Sequence, residues 1–596
     1  MELSEKLQRW SLLIARHSRL AGGVLVLITF AVFRKSLSGQ FVFDDIPQIL
    51  QNHYLTLPHY WRDIFRGVVS PFPGWAAHAG FYRPLEFFVY WAVYKVAGLD
   101  PPAFHLLQLS LCACTVWLVF LLGRELLGND LAAFAGALLW GLHPLHVEVM
   151  SWIASLSDAG AAFFMTGGFY LFLRAEKRPK PTLARHAVAA LFYAPSLFFK
   201  ETPLVLPLLL VVYWLLLAAP EPWTARLKRW WPYALIAAGS VTARMAVLGR
   251  FWTARQTSKD VLHTAASALA AMGQHARLFF LPMNLTPART FDVGHSLRSP
   301  WPWLTLAALG GAFILRKRQP LMAFLAAWWL IALLPCLDVR QLLGFPIQDN
   351  YSYLPSLGPC LAIAYIALAL APQRLPSLGT AWIAAPALVA VLWGVQDVRN
   401  VPHWHDDGAL WRQAARAAPD SALAHLYEGI MLEQQQGDLD GAAREYGDAL
   451  RLNMASFHPT TGMTYECEMG LGRIALKRGH VAEAVAYFDK AMYLAPALSP
   501  AYRALGTLRF TQGNYAKASE YFARVVRLDP QDEEAKFFLG TCWMKLGKPA
   551  QAAEQFHAAR VVEPSYLQAY RAEAAALEAA GDKDGAARVR GETPAR

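Results

Sequence analysis

Eleven apolar runs, each near the length of a bilayer crossing, dominate the first two thirds of the chain. A helix needs about 20 mostly apolar residues to cross the hydrocarbon core of a membrane. Such runs lie at 14–33, 102–123, 131–150, 158–174, 185–199, 203–219, 232–248, 300–315, 320–336, 353–371 and 379–396. Of the 596 residues, 55% are hydrophobic and 17% are charged, which excludes a wholly soluble or a disordered protein. We therefore predict an all-α, polytopic helix bundle with about eleven spans.

Basic loops orient these spans. Dense basic clusters lie at 174–185, 226–229 and 316–318. With the N-terminus inside, all of them fall on the cytoplasmic side, as the positive-inside rule requires. The apolar stretch 85–99 would invert this order if it crossed, so we interpret it as a helix at the membrane surface; 265–281 is open between a span and a surface helix. The first outer loop then covers 34–101.

The positive charge belongs to the apolar part of the chain. Residues 1–403 hold 33 Lys and Arg against 19 Asp and Glu, whereas residues 404–596 hold 22 against 25. Since the surplus sits in short loops between apolar runs, it indicates membrane anchoring and no nucleic-acid partner. The six cysteines show no paired spacing, which argues against a disulfide framework or a zinc site.

A fixed 34-residue period begins after Trp404. Residues that recur at this spacing are Gly479, Gly513, Gly547 and Gly581, and also Phe488, Phe522 and Phe556. A helix-turn-helix unit of this length, with a small residue at the tight turn, is the tetratricopeptide repeat. The turn of an earlier unit lies 42 residues before Gly479 instead of 34. We therefore expect an eight-residue insertion in the LNMASFHPTTG loop around His458. The pattern predicts a membrane domain over 1–400 and an α-solenoid over 401–596, outside the cytoplasm.

The strongest local signal for chemistry is the pair Asp44-Asp45, which follows the first span. Adjacent carboxylates repel and raise one another's pKa, which suits a general base. The structural alternative is a helix N-cap, because Pro47 follows at an early helical position. Both roles are compatible, since one carboxylate can cap a helix while the other reacts.

Further polar residues lie in or beside the predicted outer segments. The candidates for a pocket or a binding site are Arg83, Glu86, His143, His146, Glu148, Asp158, Lys200, Glu201, Arg289, Asp349, Tyr351 and Tyr353. Arg244 lies inside the seventh span, where a guanidinium is costly unless paired, so it is a functional candidate.

Two of these groups have alternative interpretations. His143, His146 and Glu148 have a spacing that could reach a divalent metal, but Pro144 separates the histidines and favours hydrogen bonding at a helix end. Metal binding is therefore not the favoured hypothesis. Lys200-Glu201 could also be an interfacial ion pair of little energetic value.

These motifs, taken in chain order, resemble one family. They are FVFDD, YRPL, HPLHVEVMSWIASLSD, FKETP, LPMNL and DNYSYLPSLG, followed by a tryptophan-containing junction and the repeats. Together they resemble the transmembrane and tetratricopeptide-repeat O-mannosyltransferases and their bacterial relatives. The resemblance implies a GT-C glycosyltransferase that uses a polyprenyl-phosphate sugar, with its catalytic aspartate in the first outer loop at Asp44. Leu156 stands where relatives usually have Arg, and Asp349-Asn350 stand where they often have Glu and a basic residue.

The chemistry of such a transfer fits these residue types. A carboxylate must take the proton of the acceptor hydroxyl, and cations must stabilise the departing lipid phosphate. Asp44, with Asp45 beside it, can do the first. The candidates for the second are Arg83, Lys200, Arg244 and Arg289. The chain has no GxxxxGK or GxGxxG loop, in agreement with a lipid-linked donor.

We therefore predict a glycosyltransferase that moves a sugar, with mannose as the candidate, from the lipid donor to a protein hydroxyl presented by the repeats. The composition favours a bacterial inner membrane with the site and repeats in the periplasm, although an endoplasmic-reticulum lumen satisfies the same topology. The alternatives are a noncatalytic scaffold that docks partners through its repeats, and a transporter. A transporter concentrates polar residues at midplane breaks in two repeated halves. The sequence shows no matching halves.

Overall fold

The computed structural model describes residues 2–67, 82–249, 261–337, 347–370, 372, 381–455 and 459–594, without the side chains of 2–6, Ile383 and Gln436. Across these ranges the chain forms helices and no strand, which confirms the all-α prediction for this part. Parts of the predicted outer segments, and His458 of the insertion, lie outside the described residues. The chain divides into two compact units, Met1–Pro419 and Asp420–Arg596.

The first unit contains a series of helices joined by short connections. Its α-helices are Glu2–Arg16, Ser18–Phe33, Tyr60–Ile64, Pro84–Ala97, Pro101–Leu127, Asp130–Gly141, Val147–Ser151, Leu156–Glu176, Leu183–Tyr193, Ser196–Phe199, Leu206–Leu216, Trp223–Leu248, Val261–Phe280, Val293–Arg298, Trp301–Ile314, Pro320–Leu333, Leu357–Tyr365, Ala381–Asn400 and Asp407–Ala417. Short 3-10 or π turns are Arg34–Ser38, Ile46–Leu50, His53–Thr56, Pro144–His146, Ile153–Ser155, Thr202–Val205, Leu315–Lys317, Leu334–Cys336, Asp349–Ser352, Ile366–Leu370 and Val401–Trp404.

Each of the eleven predicted spans contains helix. Three helical segments in the described ranges are long and apolar enough to cross a membrane: Ser18–Ser38, Pro101–Leu127 and Ile153–Glu176. Shorter apolar helices are Asp130–Gly141, Leu183–Phe199, Thr202–Leu216, Pro320–Cys336 and Leu357–Leu370. The long helices indicate a membrane protein, and the count of eleven spans stays a prediction.

The predicted span 131–150 is broken near its end. The helix stops at Gly141, and Pro144–His146 forms a 3-10 turn before Val147–Ser151 continues. Pro144 has no amide hydrogen and disfavours helical geometry at the residue before it, so the helix cannot run through His143. The HPLH part of the polar HPLHVE segment therefore lies in a break between helices, and Val147 and Glu148 begin the next helix.

The described part of the first outer loop is packed against the helices. Ile49, Leu55, Tyr60 and Ile64 are almost fully buried, and they share a core with residues of the Pro84–Ala97 and Leu156–Glu176 helices. Burial of such apolar side chains supplies about 1.5–3 kcal/mol each relative to exposure. This core fixes the loop that carries Asp44.

The boundary between the units falls at 419/420, whereas the sequence pattern placed it at 400/401. The residues after Asn400 pack into the first unit: Trp411 is fully buried, and the Trp404 ring stacks on Trp152 with centroids 5.6 Å apart. The boundary between the units lies after these residues because their aromatic side chains are buried in the first unit, although the repeat pattern begins earlier in the sequence.

The second unit is a set of paired helices. They are Ala422–Met431, Leu439–Ala455, Thr461–Lys477, Val481–Leu494, Ser499–Thr511, Tyr515–Leu528, Glu533–Lys545, Pro549–Val562, Leu567–Ala579 and Lys583–Gly591, with a π turn at Leu432–Gln436. The turn glycines at 437, 479, 513, 547 and 581 all have positive φ, between 67° and 91°. Glycine adopts this conformation without strain, which explains its recurrence at the turns.

Periodic glycine and phenylalanine residues of the repeats pack together. Phe488, Phe522 and Phe556 are almost fully buried. A Cβ at Gly472 would lie 2.5 Å from the Phe488 ring, so only glycine allows this close approach. The repeated phenylalanines are thus core residues.

The insertion falls mainly in helices. Leu439–Ala455 has 17 residues against 14 in Val481–Leu494, and Thr461–Lys477 has 17 against 13 in Ser499–Thr511. The two helices that flank the insertion are therefore longer than the corresponding helices that follow them. The expected insertion is thus not confined to the connecting loop.

Candidate active site

Asp44 and Asp45 are adjacent in sequence, but their carboxylates have different surroundings. Asp45 is fully buried, and its Oδ2 accepts a hydrogen bond from the Val42 amide at 3.0 Å while its Oδ1 accepts one from the Ala154 amide at 2.7 Å. Both oxygens therefore hold the loop in place. Asp44 is only partly buried, and among the described residues no group donates a hydrogen bond to its carboxylate.

The electrostatic environment of Asp44 suits proton transfer. Burial raises the pKa of Asp44 to about 6, although the positive charge of Arg83 lowers it. A carboxyl group with this pKa is mostly ionised at neutral pH and is a stronger base than an ordinary aspartate. The pair thus provides one anchored carboxylate and one that is available for chemistry.

Two guanidinium groups converge on one carboxylate near Asp44. Arg83 Nη2 lies 3.3 Å from Glu201 Oε1, and Arg244 Nη1 lies 3.8 Å from Glu201 Oε2. Burial would raise the pKa of Glu201, but Arg83, Arg244 and Lys200 lower it to about 2, so the carboxylate keeps its charge. Guanidinium groups bind phosphate oxygens well, so this pair of arginines is a candidate phosphate site.

Lys200 joins this group through a second acid. Its Nζ donates hydrogen bonds to both Asp158 oxygens at 2.7 Å, and Asn350 Nδ2 donates to Asp158 Oδ2 at 3.1 Å. Lys200 Nζ also lies 5.7 Å from the centroid of the Tyr351 ring. Lys200 and Asp158 are 6% and 8% exposed, so the pair is buried, and breaking it costs more than breaking a surface pair.

Glu86 faces the same cations from the Pro84–Ala97 helix. The Tyr90 hydroxyl donates to Glu86 Oε1 at 3.1 Å. Burial raises the pKa of Glu86 to about 7, against the opposing effect of Arg83. A second carboxyl group that titrates near neutral pH therefore borders the site.

Arg289 lies on a different acid. Its Nη2 is 2.9 Å from Asp349 Oδ1. Asp349 precedes Asn350 in the turn Asp349–Ser352, so this turn connects the Arg289 pair with the Asp158 group. The structure thus groups three of the four predicted phosphate ligands and pairs the fourth, Arg289, with a separate carboxylate.

The histidines of the HPLH segment are buried and hydrogen bonded. The Leu145 amide donates to His143 Nδ1 at 3.3 Å, and His143 Nε2 lies 3.1 Å from the Phe279 carbonyl. His146 Nε2 lies 2.9 Å from Ser356 Oγ. The contacts of His143 with Phe279 and of His146 with Ser356 join segments that are distant in the sequence. In the described ranges, no group of three or more His, Cys, Asp or Glu side chains is placed to hold a metal ion.

Glu148 and Tyr353 lie close to the histidines. The Tyr353 ring centroid is 4.6 Å from that of His146, and its carbonyl accepts a hydrogen bond from the Trp140 indole at 3.0 Å. Glu148 is buried, and its carboxylate faces the backbone amide of Asn350. It lines a cavity together with Asp349.

Two contributors to the site were not found from the sequence. The Ala154 amide, which binds Asp45, has no side-chain signature. Asp407 accepts a hydrogen bond from the Phe43 amide at 2.8 Å. The signal for Asp407 was the Asp406-Asp407 pair: Asp406 caps the junction helix by accepting from the Ala409 amide at 2.8 Å, which leaves the second carboxylate for another partner.

Comparisons with known proteins identify the repeats directly. Tetratricopeptide-repeat family models match residues 407–457, 469–498 and 509–580. These matches confirm the repeats predicted from the 34-residue period.

Curated relatives match both parts of the chain. Protein O-mannosyl-transferase F38B6.6 of Caenorhabditis elegans is 24% identical over 458 residues, which are 72% of this chain and 62% of the relative. Protein O-mannosyl-transferase TMTC4 of Mus musculus is 23% identical over 491 residues, 71% of this chain and 65% of the relative. Protein O-mannosyl-transferase Tmtc1 of Drosophila melanogaster is 31% identical over 147 residues, 24% of this chain and 17% of the relative. The chain thus spans less than two thirds of each.

Among solved structures, a crystal structure of MamA protein is 22% identical, with a TM-score of 0.26, over 29% of this chain and 89% of MamA. YrrB, described as a TPR protein with an unusual peptide-binding site, is 21% identical, with a TM-score of 0.27, over 31% of this chain and 90% of YrrB.

The long apolar helices and the repeat unit define a membrane protein with tetratricopeptide repeats. The relatives make this description more specific: over 72% and 71% of its length, respectively, the chain is similar to the protein O-mannosyl-transferases F38B6.6 and TMTC4. The resemblance to these O-mannosyl-transferases that the motifs indicate is confirmed, and the bacterial origin stays a prediction.

Proposed function

We propose that this chain is a GT-C type membrane glycosyltransferase that moves a sugar, with mannose as the candidate, from a polyprenyl-phosphate donor to a Ser or Thr hydroxyl of a protein. The observation that carries the proposal is the Asp44 carboxylate, which has a raised pKa and lies in the field of Arg83. The named relatives support the sugar and the protein acceptor.

The residues have distinct roles in the proposed reaction. Asp44 takes the proton of the acceptor hydroxyl while that oxygen attacks the anomeric carbon, and the bond from this carbon to the phosphate oxygen breaks. Arg83, Lys200 and Arg244 stabilise the charge that develops on the departing lipid phosphate. Asp45 keeps the loop in position. Base, cations and a membrane-embedded helical unit are the parts that such a reaction needs.

Lys200 and the two arginines are paired with acids, and this supports the proposal. Glu201 and Asp158 hold the three cations at fixed positions before substrate arrives. Preorganised charges of this kind stabilise a transition state with little rearrangement. Arg289 pairs with Asp349 on the neighbouring turn, and we assign it a supporting role toward the donor phosphate.

We further propose that the site and the repeats lie on the non-cytoplasmic face, in the periplasm of a bacterial inner membrane, in a chain that crosses the membrane several times. The basic loops at 174–185, 226–229 and 316–318 support this orientation. The repeats would present the acceptor or a partner protein, since stacked repeat helices form extended binding surfaces.

The competing function is a noncatalytic scaffold, in which the repeats dock partners and the charged groups only stabilise the fold. The state of Asp44 favours catalysis, because a structural carboxylate would be engaged in hydrogen bonds as Asp45 is. A scaffold gains nothing from a partly buried carboxylate to which no described residue donates a hydrogen bond.

Glycopeptide mass spectrometry tests the proposal. Membrane and secreted proteins are compared from cells that carry the wild-type chain, the Asp44→Asn chain or no chain. We expect hexose-modified peptides only with the wild type, because loss of a general base lowers the rate about 10²- to 10⁴-fold. Identical glycopeptides in all three samples would favour the scaffold.

A truncated chain tests the role of the repeats. The cut belongs after Pro419 rather than after Asn400, because Trp404, Asp407 and Trp411 belong to the first unit. We expect this chain to transfer to a short peptide at high concentration and to fail on the intact acceptor, since the repeats raise effective concentration. Equal transfer by both chains to the intact acceptor would assign the repeats another task.

A further inference from the structure

Phe43, directly before the candidate base, has an unusual backbone conformation. Its φ is +51°. The left-handed region is uncommon for residues other than glycine, and a bulky side chain stays there only where its surroundings hold it. The sequence position makes this conformation consequential, because the next residue is Asp44.

Three contacts from the junction and from the segment after HPLHVE hold Phe43. Asp407 Oδ1 accepts a hydrogen bond from the Phe43 amide at 2.8 Å. The Phe43 ring stacks on Trp152 with centroids 5.7 Å apart, and it meets Trp411 edge-on at 5.1 Å. Next to these contacts, the Gln40 amide donates to the His405 carbonyl at 2.7 Å. The junction therefore accepts hydrogen bonds from two backbone amides of the loop, those of Gln40 and Phe43.

The turn around Phe43 separates the two carboxylates. The Asp45 amide donates to the Val42 carbonyl at 3.0 Å, and the Asp45 side chain accepts from the Val42 amide. Phe43 and Asp44 form the middle of this closed turn. Since Asp45 is fixed at one end, the conformation of Phe43 sets the direction in which Asp44 leaves the turn.

We propose that Asp407 is a positioning residue for Asp44: its hydrogen bond to the Phe43 amide holds the turn that directs the Asp44 carboxylate toward Arg83. This inference rests on the proposed function, in which Asp44 is the base. Asp407 does not touch the reacting atoms. It acts through Phe43 from the first helix of the region matched by a repeat model, residues 407–457.

The neighbouring aspartate supplies a matched control. Asp406 caps the same helix through the Ala409 amide, so Asp406→Ala weakens the helix without removing the Phe43 contact. Asp407→Ala and Asp407→Asn both remove the charge, but the amide oxygen of Asn still accepts from the Phe43 amide. Because both variants lack the charge, the difference between them reports the contacts of the side-chain oxygens with the Phe43 amide and the Trp411 side chain.

Steady-state transfer by the full-length chain gives the first readout. We expect Asp407→Ala to lower kcat about 10- to 100-fold, because small displacements of a catalytic group are costly, while KM for the lipid donor changes less than about twofold. Asp407→Asn and Asp406→Ala should stay close to wild type per folded molecule. Wild-type kcat in Asp407→Ala, or an equal loss in Asp406→Ala, would overturn the proposal.

A second readout does not depend on transfer. Carbodiimide modification of Asp44, followed by peptide mass spectrometry across pH, reports its ionisation. Arg83 lowers the pKa of Asp44, while the charges of Asp44 and Asp407 both raise the pKa of the neighbouring Asp45. If Asp44 turns away from Arg83, the midpoint should rise in Asp407→Ala and stay unchanged in Asp407→Asn. An unchanged midpoint in Asp407→Ala would refute the positioning role. A shifted midpoint in a chain without transferase activity would refute the proposed function alone.

Discussion

Arg83 and Glu201 are 118 positions apart in the sequence, yet their side chains meet at 3.3 Å, with Arg244 on the opposite carboxylate oxygen. This contact brings the YRPL and FKETP motifs into one group beside Asp44. The motifs are therefore parts of one charged site. The roles of its members can be tested separately.

The pH dependence of transfer should report Asp44. Because its pKa is raised to about 6 and only the ionised form accepts a proton, kcat/KM should fall about tenfold per unit below pH 6 and level off above it. Arg83 lowers this pKa, so Arg83→Gln should move the acidic limb to higher pH. The profile is measured with saturating acceptor. If its acidic limb lies at the same pH in Arg83→Gln as in the wild type, the group that titrates is not Asp44.

Asp45 should matter for stability more than Asp44. Asp45→Ala leaves the amides of Val42 and Ala154 without their acceptor, and each buried unsatisfied group costs about 1–3 kcal/mol. Asp44→Ala removes no hydrogen bond to the described residues. Thermal unfolding of the purified chain in detergent should therefore show a clear loss for Asp45→Ala and little change for Asp44→Ala. Equal losses would contradict the assigned roles.

Lys200 should act in donor binding as well as in folding. Lys200→Met leaves the buried Asp158 carboxylate with its hydrogen bond from Asn350 but without its ammonium partner, so stability should fall. The double variant Lys200→Met, Asp158→Asn should regain most of the stability, while KM for the lipid donor stays at least about tenfold above wild type. If the double variant restores donor KM as well, Lys200 is a purely structural partner of Asp158.

The orientation of the chain can be tested by cysteine labelling. Of the six native cysteines only Cys114 is exposed, so a Cys114→Ala background removes the main competing thiol. Ser38→Cys and Gly294→Cys should react with an impermeant reagent from outside, and Pro179→Cys only after the membrane is opened. We choose Ser38 because it is exposed, whereas a Cβ at the neighbouring Gly39 would lie 2.9 Å from the His105 ring. Labelling of Pro179→Cys in intact cells would overturn the orientation.

The repeats should respond unequally to added methyl groups. A Cβ would lie 2.5 Å from the Phe488 ring at Gly472 but 3.2 Å from the Phe522 ring at Gly506. Overpacking costs about 1–3 kcal/mol, and replacing glycine inside a helix regains about 0.5–1 kcal/mol. Gly472→Ala should therefore lower the unfolding temperature of the full chain, with Gly506→Ala near neutral. The reverse order would contradict the packing.

The sequence alone was sufficient for the helical class, the repeats and the family resemblance. Apolar runs and a 34-residue period are local or regularly spaced patterns, so they can be recognised without knowing which segments meet. The break at His143-Pro144 shows the same principle on a smaller scale: the covalent geometry of proline ends the helix wherever the segment lies. The Asp44-Asp45 pair was also visible, together with the possibility that the two residues differ in role.

That difference itself depends on contacts between distant segments. Whether Asp44 or Asp45 is free is determined by the Ala154 amide, 109 positions away, and by the closed turn at Val42. A backbone amide has no side-chain signature, so no pattern in the sequence predicts it. In the same way, Lys200 is a buried partner of Asp158, and Asp407 holds Phe43, only because folding places them in contact and removes water. Burial, hydrogen bonding and neighbouring charges set the pKa values of Asp44 and Asp45, and all three arise from packing between remote parts of the chain.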